Sequence, residues 1–168
     1  SGTLGDHAAT VMAARHGLTL PPEIQSDCAP LCHLTAEMIA AAGDGIAVLR
    51  DPTRGGAAAS LNELASAAGV GVLLDEEQIP VRPAVQGVCE MLGFDPLTLA
   101  NEGKLLAFVR PDVTAHVLDV MHENPYGREA CVIGHTTADA PGTVGLRTAL
   151  GGIRVVDLPL GELVPRIC

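Results

Sequence analysis

The sequence predicts one mixed α/β domain in which helices cover a mixed β-sheet. The chain has 168 residues, of which 48% are hydrophobic, so it can bury a single globular core. Aromatic residues contribute only 2%, so this core is built from Ala, Val, Leu and Ile, which suits close approaches between helices and a sheet. Helical and strand-like segments alternate at first, and strand-like segments cluster near the end, which favours a sheet with strands of both directions.

Five helices are predicted from apolar spacing and from the residues that stop them. They span residues 7–16, 31–42, 55–68, 83–92 and 111–123. A glycine follows each of the first four, and Asn124-Pro125 follows the fifth, as expected at helix ends. The first helix has an acidic start at Asp6, and Pro83 occupies the first turn of the fourth, where proline is tolerated. Residues 19–30 contain three prolines and form a predicted connector.

Six short apolar runs between turn signals predict the strands. They occupy residues 46–49, 70–74, 104–109, 130–135, 143–150 and 153–156. Turns at Ala140-Pro141-Gly142 and Gly151-Gly152 separate the last three runs.

Charge and composition exclude several classes of partner. The net charge of −10 repels phosphate backbones, and the scarcity of aromatic residues removes the stacking platforms that bind single strands. No apolar run reaches the length of a membrane span, and no signal peptide is recognised, although the first residue is Ser rather than Met. The five cysteines are too few and too irregular for a disulfide framework, so we expect a cytoplasmic protein with reduced thiols.

The last residue, Cys168, is a candidate reactive thiol. Chain termini pack little, so packing gives little reason for a thiol there, whereas a thiol on an arm can visit more than one active site. Pro159 and Pro165 keep this segment out of a helix. We therefore predict a domain over residues 1–158 and a flexible tail over residues 159–168. The alternative is a cysteine placed there by chance; a prenylation box is excluded because it needs three residues after the cysteine.

The run Asp51-Pro52-Thr53-Arg54-Gly55-Gly56 lies between a predicted strand and a predicted helix. Thr53 is the predicted N-cap, the glycines let the backbone approach a ligand, and the helix start favours an anion. Arg54 adds a fork of donors for such an anion. The spacing is neither that of a P-loop nor that of a dinucleotide fingerprint, and a plain turn before a capped helix is the alternative.

The run Asn101-Glu102-Gly103-Lys104 stands at the entry to a predicted strand. A carboxylate beside an amide, a glycine and an ammonium group can form a polar site. The alternative is a turn in contact with solvent.

The cysteines at positions 28 and 32 precede His33 with a spacing that is not typical of structural zinc sites, and Pro30 lies between them. Metal binding there stays an alternative. Cys89 and Cys131 are expected to be small core residues, and the remaining histidines, including His7, are expected to be solvated or bonded locally.

Five stretches together resemble the HypE family of hydrogenase maturation proteins, which belongs to the superfamily of aminoimidazole ribonucleotide synthetase and selenophosphate synthetase. They are SGTLGDH at 1–7, SDCAPL at 26–31, DPTRGG at 51–56, NEGK at 101–104 and PRIC at 165–168. The resemblance covers the whole chain, which is similar to the C-terminal half of that family. It implies a three-layer α/β/α domain with a mixed sheet. The N-terminal half of the family carries most of the ATP and Mg²⁺ site and forms the homodimer.

The chemistry that the resemblance implies is synthesis of the cyanide ligand of nickel–iron hydrogenase. A partner carbamoyltransferase, HypF, places a carbamoyl group on the terminal thiol. ATP then activates the carbamoyl oxygen, and loss of the N–H protons and phosphate leaves a protein thiocyanate. The cyanide passes to iron on a HypC–HypD complex. Without the N-terminal half, we expect these 168 residues to bind no nucleotide cofactor and to be inactive alone.

The same resemblance assigns roles to residues of this chain. Cys168 is the nucleophile and carrier, and Glu102 is the candidate base that removes a proton from the carbamoyl nitrogen. The residues expected to line the cofactor site are Asp51, Thr53, Arg54, Gly55, Gly56, Asn101 and Lys104.

Two other classes of function stay open at the level of sequence. One is a non-catalytic module whose acidic surface and tail dock onto maturation partners. The other is a thiol redox or metal-binding domain that uses Cys28, Cys32 and Cys168.

We predict that Cys168→Ala abolishes carbamoyl loading and leaves the fold intact, because a terminal residue contributes little buried area. Intact mass after incubation with the partner transferase, followed by tryptic mapping, measures the loading. A carbamoyl or cyano adduct on any other cysteine would contradict the assignment.

Overall fold

All five predicted helices are present, each with ends within one residue of the prediction. The structure is a computed structural model, and it describes residues 1–22 and 24–158. The helices of this part are α1 (Asp6–Arg15), α2 (Cys32–Ala42), α3 (Gly56–Ala68), α4 (Pro83–Leu92) and α5 (Pro111–Glu123). Short 3-10 turns at Glu76–Gln78 and Pro96–Thr98 were not predicted. The predicted tail over residues 159–168, with Cys168, lies outside the described residues.

The strands of the described part form two sheets. They are β1 (Ile46–Arg50), β2 (Gly71–Asp75), β3 (Leu106–Val109), β4 (Gly134–Thr137), β5 (Val144–Arg147) and β6 (Ile153–Val155). The larger sheet has the order β4-β2-β5-β6, in which only β2 and β5 run parallel, so the predicted mixed sheet is confirmed. The prediction of a single sheet is wrong, because β1 and β3 form a separate antiparallel pair.

The strand expected at 130–135 is displaced to β4. This strand begins at Gly134, which pairs with Leu74, and ends at Thr137, which pairs with Gly71. A Cβ at position 134 would overlap the carbonyl oxygen of Leu73, so the glycine permits the close approach. The apolar run before Gly134 therefore led to a predicted strand that begins four residues too early.

Alternate residues of β3 pack into two different cores, as the period of two in a strand requires. Leu106 and Phe108 belong to a cluster with α3, β2 and β5. Ala107 and Val109 belong to a cluster with α2 and α5. Strands therefore lie between two sets of helices, and the predicted three-layer mixed α/β class is confirmed.

A third cluster joins α1 to α4 and supports the edge of the domain where both motifs at 1–7 and 101–104 lie. Ala8 and Ala9 of α1 are fully buried against this cluster. Their small side chains let the α1 backbone come close to Val85 and Val88 of α4 and to Leu99. The start of α1 is thereby held next to the segment that leads into β3.

Gly56, the first residue of α3, makes the closest approach between this helix and the rest of the domain. It is buried and has a φ of +62°, in the left-handed region that glycine adopts without penalty. A Cβ at this position would lie 2.5 Å from both the Leu97 and the Leu99 carbonyl oxygens. Gly56 therefore fixes α3 against the segment that follows the 3-10 turn at Pro96–Thr98.

We predict that Gly56→Ala lowers the free energy of unfolding far more than Gly69→Ala. Both positions have positive φ, +62° and +64°, but a Cβ at Gly69 meets nothing within 4 Å. Gly69→Ala, the control, should lose only about 1–2 kcal/mol, which is what a left-handed backbone costs a residue with a Cβ. Gly56→Ala adds an overpacking cost of about 1–3 kcal/mol. Urea unfolding of both variants measures the difference, and equal losses would contradict the contact.

Candidate functional site

The side chain of Asn101 connects three parts of the chain. It is completely buried, with an exposed fraction of 0%. Its Oδ1 accepts the Gly5 N–H at 2.8 Å, and its Nδ2 donates to the carbonyls of Pro52 at 3.2 Å and Leu99 at 2.9 Å. The start of α1 and the turn at 51–56 are thus tied to the 101–104 motif. The Asn101 amide is bonded to backbone groups inside the domain, so in this structure it supports the site. Direct contact of Asn101 with a cofactor stays a prediction.

Glu102 is held at its backbone by Asp27. The Glu102 N–H donates to Asp27 Oδ1 at 3.0 Å, and the Asp27 side chain is only 2% exposed. The glycine that follows packs directly on the same segment, because a Cβ at Gly103 would overlap the Asp27 carbonyl oxygen. Lys104 Nζ lies 3.7 Å from Asp27 Oδ2. The motifs at 26–31 and 101–104 therefore meet face to face, which local sequence alone did not indicate.

The turn at 51–56 differs from its prediction at the helix start. Thr53 does not cap α3: its hydroxyl donates to Asp51 Oδ2 at 3.4 Å, and the N-cap is Gly55, in the left-handed conformation. No side chain caps α3, so the positive end of its dipole faces the turn, where an anion is favoured. Arg54 is exposed beside it. Gly56 was expected to let the backbone approach a ligand. The backbone of residues 97–99 occupies the space beside it instead.

Ser26 and Cys28, which flank Asp27 in the chain, form a hydrogen-bonded group with His7. His7 Nδ1 lies 2.8 Å from Ser26 Oγ, and Ser26 Oγ lies 3.2 Å from Cys28 Sγ. The expectation that His7 is solvated or bonded locally is wrong, since it is 7% exposed and its partner is nineteen residues away. Cys28 is exposed. Nothing in the spacing of these residues indicated the contact, because the connector at 19–30 carries no periodic pattern.

Cys89 and Cys131 were both expected in the core, but the structure places only Cys89 there. Cys89 is buried, and desolvation, with smaller contributions from Asp95 and Glu90, raises the pKa of its thiol to about 11. Cys131 is exposed rather than part of the core, and its Sγ donates to the Gln78 carbonyl at 3.3 Å. Partial desolvation raises its pKa as well.

The described residues give no support to the metal site that Cys28 and Cys32 had left as an alternative. Cys32 begins α2 and is exposed. Within residues 1–22 and 24–158, no three His, Cys, Asp or Glu side chains are grouped so that they could hold a metal ion. Over the same residues, no helix is both long and apolar enough to cross a bilayer.

The chain matches a known family and several solved structures. The family model for the AIR synthase related protein, C-terminal domain, matches residues 1–147. The carbamoyl dehydratase HypE of Rhodobacter capsulatus is 52% identical over 168 residues, which is 100% of this chain and 49% of that protein. The chain thus spans about half the length of the curated relatives it matches.

The structural comparisons agree. A crystal structure of the hydrogenase maturation protein HypE superposes with a TM-score of 0.94 at 40% identity, over 99% of this chain and 54% of that one. HypE in complex with ATP gives 0.92 at 39% identity, over 99% and 51% of the two chains. A HypE–HypF complex gives 0.88 at 42% identity, over 94% and 51%. The resemblance inferred from the motifs is confirmed.

We predict that Cys89 is alkylated about 100-fold more slowly at pH 8 than an ordinary thiol, because a pKa of about 11 instead of 9.0 leaves about 100-fold less thiolate. Labelling with iodoacetamide and mass mapping measures the rate for each cysteine. In denaturant the difference between Cys89 and Cys32 disappears. Equal rates in the folded protein would show that Cys89 is accessible and ionised.

Proposed function

The chain belongs to the AIR synthase related family as its C-terminal domain, and from this premise we propose that it is the C-terminal half of an ATP-dependent carbamoyl dehydratase that makes the cyanide ligand of nickel–iron hydrogenase in the cytoplasm. The relatives that match over the whole chain carry the name carbamoyl dehydratase HypE. The observation that carries the proposal is the meeting of three sequence motifs at Asn101–Glu102. Asn101 binds the turn at 51–56 through Pro52, and Asp27 binds the Glu102 N–H.

In the proposed reaction, Cys168 carries a carbamoyl group as a thiocarbamate. When bound by the complete protein, ATP with Mg²⁺ supplies the phosphoryl group that makes the carbamoyl oxygen a leaving group. Loss of both N–H protons and of phosphate then converts the S–C(=O)–NH₂ group into S–C≡N. A base near the nitrogen must accept a proton in this elimination.

Glu102 is the proposed base. It is partly exposed at the entry to β3, and its backbone N–H is held by a buried partner. A general base acts only when it reaches hydrogen-bond distance of the proton that it removes. The bond from the Glu102 N–H to Asp27 restrains the backbone that carries this carboxylate, which supports its proposed role as the base.

The phosphate end of the site is proposed at the start of α3. The helix start has no side-chain cap, and Asp51 and Arg54 lie in the turn before it. A phosphate oxygen near such a position gains from the positive end of the helix dipole. Lys104, 3.7 Å from Asp27, is proposed to compensate charge next to the base.

The proposed partners follow from the carrier role. A transferase must load the thiol and an iron-bearing protein must receive the cyanide, which correspond to HypF and to a HypC–HypD complex. The HypE–HypF complex among the similar structures supports the first of these. Dimerisation is proposed for the N-terminal half of the complete protein.

We predict that Glu102→Gln in the full-length protein still accepts carbamoyl but is dehydrated about 10²–10⁴-fold more slowly, because the base is lost while the thiol is untouched. Intact mass over time separates the thiocarbamate from the thiocyanate. The matched control is Glu77→Gln, an exposed glutamate in the 3-10 turn at Glu76–Gln78, which should leave both steps unchanged. Dehydration of Glu102→Gln at the normal rate would remove Glu102 as the base.

A further inference from the structure

We propose that Asp27 is a positioning residue for the proposed base, and that its buried carboxylate holds the backbone of Glu102 in the orientation that the elimination needs. The inference rests on the proposed function, because it acts through Glu102. Asp27 lies in the connector between α1 and α2, where sequence analysis had found no functional role for a carboxylate.

The contact is of the strong kind. Asp27 Oδ1 accepts the Glu102 N–H at 3.0 Å, and the Asp27 side chain is 2% exposed. A hydrogen bond to an ionised acceptor is about twice as strong as one between neutral groups. Burial increases its strength further, because solvent screens it little. The peptide group that carries the Glu102 side chain is therefore restrained directly.

Asp27 stays buried at a cost that packing alone does not explain. Its Oδ2 is one of two buried side-chain atoms of the described residues that have no hydrogen-bond partner. The distance of 3.7 Å to Lys104 Nζ is too long for a hydrogen bond, although it supplies a countercharge. A buried carboxylate with one unsatisfied oxygen is destabilising compared with an apolar residue. Holding the Glu102 N–H is a role that an apolar side chain at this position could not fill.

The segment that carries Asp27 is itself anchored on two sides. Ser26 Oγ lies 2.8 Å from Nδ1 of His7, which is buried in α1. On the other side, Gly103 leaves no space for a side chain between the two backbones, since a Cβ there would lie 2.8 Å from the Ala29 nitrogen. Movement of Asp27 is therefore transmitted to Glu102. A displacement of about 1 Å in a catalytic group can cost about 10²-fold in rate.

The test is a double-mutant cycle in the full-length protein, loaded on its thiol by the transferase and followed by intact mass. Asp27→Ala should slow dehydration about 10–100-fold and leave the rate of loading within about twofold. Asp27→Asn keeps a neutral acceptor at the Oδ1 position, so it should recover most of the rate and lose only about 3–10-fold. In the Glu102→Gln background, either change should slow dehydration further by less than about threefold, because the residue through which Asp27 acts is already absent.

A matched control separates positioning from general destabilisation. Asn124 is buried at 7% exposure, and its Oδ1 accepts the Tyr126 N–H at 3.0 Å, far along the chain from the base. Asn124→Ala should leave the ratio of dehydration to loading unchanged, even if the protein is less stable.

The outcomes distinguish failure of Glu102 as the base from failure of Asp27 as its positioning residue. If Glu102→Gln dehydrates normally, the proposed base is wrong and the inference falls with it. If Glu102→Gln is slow but Asp27→Ala is normal, or if the two losses multiply in the double variant, only the positioning role is wrong. Should Asp27→Ala fail to fold, the cycle with Asp27→Asn gives the same decision.

Discussion

The buried amide of Asn101 is the interaction on which the candidate site depends. It bonds the Gly5 N–H and the carbonyls of Pro52 and Leu99, three backbone groups that come from different segments of the chain. Without this side chain the Gly5 N–H and the Leu99 carbonyl would lose these partners, at a cost of about 1–3 kcal/mol for each buried polar group. The Pro52 carbonyl also accepts the backbone N–H of Asn101 at 3.1 Å. One side chain thereby sets the distance between the start of α1, the turn before α3 and the entry to β3. An apolar residue of similar size would fill the space but remove the bonds to the Gly5 N–H and to the Leu99 carbonyl.

A second contact makes the turn at 51–56 and the segment 97–102 into one rigid unit. Gly56 lies against the Leu97 and Leu99 carbonyls, where no Cβ fits, and Pro52 is bonded to Asn101. These contacts lie on either side of the residues proposed to bind phosphate. The proposed phosphate end and the proposed base therefore cannot shift relative to each other without breaking a buried hydrogen bond or a backbone contact. Such pre-organisation is what an elimination that needs a leaving group and a base at once requires.

The helices could be predicted from the sequence because their signals are local. Apolar spacing, the glycines after the first four helices and Asn124-Pro125 after the fifth predicted all five to within one residue. Strand pairing is not local, so neither the separation of β1 and β3 from the larger sheet nor the displacement of β4 could be read from apolar runs. The same limit applies to the site: the motifs at 51–56 and 101–104 were found, but the contacts of Asp27 with Glu102 and of His7 with Ser26 span 75 and 19 residues. The missing cap at Thr53 has another reason, because two left-handed glycines move the helix start beyond its reach.

The proposed division of labour between a carrier and a fixed site explains why a costly buried carboxylate belongs beside Glu102. A thiol that serves a transferase and a dehydratase must fit two sites, so neither can rely on the carrier for exact alignment. The alignment must then come from the receiving domain, where a general base is effective only within about 0.5 Å of its productive position. Burying Asp27 lowers stability but restrains the Glu102 peptide, whereas the large apolar clusters supply the stability that this placement removes. The polar contacts at 26–31 and 101–104 thus serve geometry, and the cores around α2, α3 and α5 serve the fold.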